Sequence, residues 1–200
     1  MTKMYMRDNP IIAKHMLAHP DNFADGVNFV FTTIQQPLAS TPNQMQDIRI
    51  NGADSKYLFG SKRDGYVFVQ ENKEWLHRKM CEFVETGDTV AALDMLTSIP
   101  CLGIVKAAFV AQLCGMEVAC IDSHNCDRLG LARTALRLAK SVKPATKLKK
   151  IADYIALCKR TGGSQYWWDT WCEYVAGNRA NKNLATGDDV SALHVTAIMA

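Results

Sequence analysis

Residues 96–131 read LTSIPCLGIVKAAFVAQLCGMEVACIDSHNCDRLGL, and the fold turns on how they are interpreted. Pro100 ends any helix before it, and Gly103 permits a tight turn or a close backbone approach. The apolar run 104–114 has the length and pattern of a helix. The first N–H groups of such a helix have no partner within it, so a phosphate arriving there gains hydrogen bonds and dipole attraction. An ordinary helix–turn–helix connection is the competing reading. Gly115-Met116-Glu117 then reads as loop and 118–121 as a short apolar strip, ending at one carboxylate, Asp122, before His124 and Asn125. An apolar run partly desolvates a carboxylate at its end and strengthens its field, which marks a functional candidate. Asp122 is equally suited to cap a helix starting near Ser123.

Working outward, helical spacing predicts a mainly α chain of about eight to ten helices in one domain. A first helix is expected over 10–17. A second is expected over 23–36, capped by Asp21-Asn22 and stopped by Pro37. Residues 38–56, rich in Ser, Thr, Pro, Asn and Gln, read as loop and short turns. Tyr57-Leu-Phe-Gly and Tyr66-Val-Phe-Val flank an Asp64-Gly65 turn signal, so a small β-hairpin is expected over about 57–69. Helices follow over 72–85, over 88–96 (capped by Asp88 or Thr89), over 132–141, over 145–159 and over 164–176. The last carries Tyr166, Trp167, Trp168, Trp171 and Tyr174, a stripe that reads as core, with base stacking as the alternative. The tail from about 178 to 200 reads as loosely ordered.

Apolar residues at 48% and charged residues at 22% describe an ordinary globular protein. No apolar run approaches the roughly 18 residues of a bilayer span. No apolar stretch follows the charged N-terminus, so neither a signal nor a membrane partner is expected and the chain reads as cytoplasmic. The seven cysteines, without any C-x-x-C, read as reduced and mostly buried thiols; no metal site is expected. The formal charge of +3 is unevenly spread. Between Arg128 and Arg160 stand ten Lys and Arg against Asp153 alone, +9, which leaves −6 for the rest. That is the footprint of a polyanion binder, with a solvated helix face as the alternative.

The residues 99–107, Ile-Pro-Cys-Leu-Gly-Ile-Val-Lys-Ala, and 121–128, Ile-Asp-Ser-His-Asn-Cys-Asp-Arg, together resemble the helix-hairpin-helix DNA glycosylase superfamily, endonuclease III-like members included. That family's hairpin reads L-P-G-V-G-x-K-x-A, with V-D-T-H-x-x-R after an apolar helix. The resemblance spans roughly 23–175 and is concentrated in 96–131. It implies a helix-hairpin-helix fold that grips double-stranded DNA without a membrane, as a monomer. It also implies flipping of a nucleotide and hydrolysis of its N-glycosidic bond, with Asp122 stabilising oxocarbenium charge and activating water.

By the same resemblance Gln35 or Gln36 fills the gap left by the base. Pro100, Cys101, Leu102, Gly103, Val105, Lys106, His124, Arg128 and Arg133 are the other DNA-binding candidates. Cys101 stands where the family has the first hairpin Gly, and Val105 where bifunctional members have a Schiff-base lysine. Lys106 lies one residue on, about 100° round a helix and away from that pocket. A monofunctional, cofactor-free enzyme is therefore implied. Arg128 falls one residue beyond the pattern's Arg, where this chain has Asp127. The family's iron–sulfur cysteines have no counterpart, since only Cys158 and Cys172 lie beyond 126. Two alternatives stand beside excision: a transferase that modifies bases in hypermodified DNA, and a non-catalytic DNA-binding protein of the same fold.

Overall fold

The computed structural model describes residues 9–132, 134–139, 141–177 and 184–199, with the backbone alone at His124. Among them run ten α-helices. They are α1 (Asn9–Met16), α2 (Pro20–Thr32), α3 (Thr41–Asn51), α4 (Ser61–Thr86) and α5 (Thr89–Leu96) in the first half. The second half holds α6 (Ile104–Leu113), α7 (Ser123–Arg128), α8 (Pro144–Arg160), α9 (Gly163–Val175) and α10 (Gly187–Met199). The fold is all-α.

The core sits around α2 and α6, which are buried along most of their length. In α2, Phe23, Val27, Phe29, Val30 and Phe31 are fully buried; in α6, so are Ala107, Ala108, Val110, Ala111 and Leu113. An almost wholly apolar helix such as α6 is an interior helix, whereas α2 keeps Asp21 and Asp25 on an outer edge. The others wrap it with one apolar face each: α4 supplies Val69, Leu76 and Met80, and α8 supplies Ile151, Tyr154, Ile155 and Cys158. Lys147 of α8 bridges to Asp94 of α5 at 2.7 Å. No described helix is long and apolar enough to cross a membrane. The seven cysteines form no disulfide, and four of them are buried.

The structure differs from the sequence expectation in five segments. Asp21 and Asn22 lie inside the first turn of α2, whose N-cap is His19 and which ends at Thr32. No hairpin forms over 57–69, because α4 begins at Ser61 and runs through it. Gly65 is an interior helical residue whose missing Cβ makes room for the carbonyl oxygen of Pro100. A Cβ there would stand 2.5 Å from that oxygen and 2.8 Å from Phe31 Cζ. Residues 38–56 hold α3, whose buried Thr41, Gln44, Met45 and Ile48 form one thin inner face on an otherwise polar helix. Residues 134–139 are not helical, although the segment is rich in helix formers. The expected loose tail contains α10, begun by a reciprocal cap in which Thr186 N–H donates to Asp189 Oδ2 (2.9 Å) and Asp189 N–H donates to Thr186 Oγ1 (3.2 Å). That helix buries His194 among Phe29, Phe109, Trp168 and Trp171.

Candidate functional site

The strip 118–121 joins no sheet among the described residues, so its backbone groups need other partners. Two tight local bonds, Val118 N–H to Met116 C=O (2.8 Å) and Ile121 N–H to Ala119 C=O (3.1 Å), and side chains from three helices supply them. Cys120 N–H donates to Gln112 Oε1 of α6 (3.2 Å), and Cys120 C=O accepts from Asn125 Nδ2 of α7 (3.1 Å). The Tyr154 hydroxyl of α8 donates to Ala119 C=O (2.6 Å) and accepts from Ile121 N–H (3.0 Å). Gln112 is itself held, its Nε2 donating to Ser164 C=O at the start of α9 (3.0 Å). Asp122 follows directly. Its Oδ1 accepts from Asn125 N–H at 3.0 Å, so the carboxylate caps α7 while remaining partly exposed.

Between α5 and α6 the chain turns through Ile99-Pro100-Cys101-Leu102, closed by Leu102 N–H donating to Ile99 C=O at 3.1 Å. Pro at the second position and a positive φ at the third match a type II turn. Cys101 carries that positive φ, at 73°. Thus the backbone at Cys101 adopts the conformation glycine would supply, at a cost of about 1–2 kcal/mol for a residue with a Cβ. Cys101→Gly is expected to melt above Cys101→Ala by roughly 2–4 °C, the reverse of their order inside a helix, because only glycine relieves the turn. Thermal denaturation of the two variants checks this. Gly103 then opens α6 without any side-chain cap.

One other non-glycine residue among those described has positive φ: Gln35, at 58°, where the chain leaves α2. The helix ends earlier than Pro37: Thr33 N–H closes its last turn on the carbonyls of Phe29 and Val30, which also accept from the Thr32 and Thr33 hydroxyls (2.6 and 2.7 Å), and the left-handed Gln35 turns the chain away. The following carbonyl, Ile34, accepts from Lys62 Nζ of α4 at 3.0 Å. Lys62 is nearly buried there, and burial, assisted by nearby Lys106, pulls its ammonium below the usual lysine range. Strained backbone persists only where its surroundings hold it, and such residues gather at functional sites.

These parts meet in one cleft of about 810 Å³. Gln35 and Gln36, the turn residues Cys101 and Gly103, Val105 and Lys106 of α6, and Asp122 and Ser123 all line it. Trp167, Trp168, Trp171 and Tyr174 of α9 form an aromatic wall, and Leu136, Arg137 and Leu138 run along the mouth. The α9 stripe therefore serves twice: Trp167 and Trp168 are buried, whereas Trp171 is half-buried and Tyr174 exposed. Lys106 does not turn away as the 100° argument expects. Its flexible side chain reaches back, Nζ donating to Thr33 Oγ1 at 3.1 Å and lying 5.4 Å from the Phe109 ring centre.

No family model, curated protein or solved structure matches the chain. A carboxylate, an ammonium, two glutamines and several π-faces share one concave surface, an arrangement suited to holding a planar polar molecule against a developing positive charge. Other expected site residues lie apart from it. Leu102 is buried in the core, Pro100 packs toward α4, and Arg128 is exposed at the end of α7 outside the cleft lining. Arg133 and the His124 side chain lie outside the described residues. Among the described residues no group of three or more His, Cys, Asp or Glu side chains could hold a metal ion. Arg137, Gln112, Thr33 and Tyr154 are not among the expected site residues, and Gln112 and Tyr154 stand in no recognisable local pattern.

Proposed function

We propose that the chain is a helix-hairpin-helix DNA-binding protein that draws a nucleotide from the duplex into the cleft and hydrolyses its N-glycosidic bond. The observation that carries this reading is the shared cleft: Asp122 faces the same space as the left-handed turn at Cys101, the left-handed Gln35 and the aromatic wall of α9. The uncapped start of α6 at Gly103 holds a backbone phosphate, and Gln35 or Gln36 fills the vacated stack. The extruded base stacks on Trp171 and Tyr174. As the bond to the base lengthens, positive charge develops on the sugar; Asp122 stabilises it and directs a water at C1′. Val105 offers no amine, so the reaction proceeds without a Schiff base. Lys150 Nζ reaches the Arg137 carbonyl at 3.4 Å, so the basic exposed side of α8 adjoins the mouth of the cleft and extends its attraction for phosphate.

One observation favours a second reading. The cleft volume lies in the upper part of the roughly 300–1,000 Å³ typical of small-molecule sites, leaving room for a donor beside a base. A base-modifying transferase would use that room. The deciding experiment incubates the protein with duplexes carrying a panel of altered bases and measures abasic sites alongside the mass of the recovered bases. Abasic sites support excision, and a base of increased mass after addition of an amine or amino-acid donor supports transfer. Binding with neither outcome leaves the non-catalytic reading. Duplex affinity should fall steeply between 50 and 200 mM salt, by roughly 10³-fold or more if six phosphates are engaged. A salt slope near zero would sink all three.

A further inference from the structure

We infer that Tyr154, which does not line the cleft, is a positioning residue for Asp122: its buried hydroxyl fixes the strip that carries the carboxylate. The inference rests on the excision reading for its kinetic arm but not for its structural one. A chain segment without a sheet has no ladder to set its register, and here one oxygen does part of that work. The Tyr154 hydroxyl bonds the carbonyl of Ala119 and the amide of Ile121, two residues apart, so rotation of the intervening peptides would break at least one bond. The next residue is Asp122, and its carboxylate is already committed to the Asn125 amide. Rotation at Ile121 would therefore carry the carboxylate out of both the cap and the cleft.

The surroundings keep the hydroxyl in place. Tyr154 is 2% exposed, and burial pushes its phenol well above the usual tyrosine range, so the proton it donates is retained at working pH. Ile121 N–H also reaches Ala119 C=O across Cys120 (3.1 Å), so the hydroxyl braces a tight turn of the backbone, and no other side chain bonds that amide in this structure; the Cys158 thiol lies farther from the same carbonyl, at 3.7 Å. Tyr154→Phe keeps the ring and its packing and removes the clamp alone.

With the full chain, Tyr154→Phe should lower kcat for base release at least tenfold while KM for the duplex stays within twofold. The Asn125 amide should exchange its hydrogen at least tenfold faster, with amides of α2 unchanged. An unaltered kcat, or a joint collapse of kcat, KM and Tm, overturns the inference. If the wild-type chain releases no base, the excision reading fails separately and Asn125 exchange still decides the positioning role: unchanged exchange overturns it. Should the variant not fold, the wild-type chain supplies the test along a denaturant series. The Ile121 and Asn125 amides must then open in one step, and independent opening overturns the inference.

Discussion

Asp122→Asn is expected to slow base release roughly 10²–10⁴-fold, the range a general base or charge-stabilising group contributes, while duplex affinity stays within a few-fold. The substitution is clean for a structural reason. Asparagine caps helices about as well as aspartate, and its amide oxygen can still accept from Asn125 N–H. The cap should therefore hold, and the lost charge is felt at the sugar. Asp122→Ala makes the contrast, because it loses both functions. It should be as inactive as the Asn variant and also lose about 1 kcal/mol of stability with the cap, or roughly 2–4 °C in Tm for a chain of this size. Single-turnover release assays and melting curves on both variants separate the two roles of one side chain. Normal release by Asp122→Asn would remove Asp122 from the chemistry and leave it as a cap.

Much of the frame around Asp122 was legible because it is written in local signals. The apolar 104–113 run, the Asp88 cap of α5 (its Oδ1 accepting from Ala91 N–H at 3.0 Å) and the Asp122 cap of α7 each follow from a few adjacent residues. The elements that escaped are those whose cause is distant in the chain. Gly65 looks like half of a turn signal beside Asp64, yet it is glycine because Pro100, 35 residues on, needs its space. Once that is known, Tyr66, Val67, Phe68 and Val69 need no strand to explain them; the long α4 overrides their β preference. Residues 134–139 err in the other direction. Their Leu and Arg favour a helix, but Leu136 and Leu138 pack instead along the cleft mouth. For α10 the signal was present and readable: Thr186-Gly-Asp-Asp189 is a capping pattern, followed by Val190, His194 and Ala197 at helical spacing. The lattice behind the strip left no trace, since Gln112 and Tyr154 lie 8 and 33 residues from the amides they hold.

Gly65→Ala provides the sharpest test of that distant cause, because two principles oppose each other in sign. Inside a helix, alanine is favoured over glycine by about 1 kcal/mol, so propensity alone predicts stabilisation. Packing predicts the opposite. The new Cβ would meet the Pro100 carbonyl oxygen at 2.5 Å and the Phe31 ring at 2.8 Å. One is backbone of the turn and the other a fully buried ring, so neither can step aside cheaply. Overpacking of this kind costs about 1–3 kcal/mol, occasionally more, and should outweigh the propensity gain. The expected result is a Tm several degrees lower, with Gly65→Val lower still. The damage should also be directional: the turn is the element that must yield, and it carries Cys101 and Gly103 into the cleft. Duplex binding by Gly65→Ala should thus weaken even at temperatures where the variant is fully folded, whereas a variant stabilised by helix propensity alone would bind normally. A rise in Tm with unchanged binding would show that α4 and the turn do not approach as closely as the packing requires.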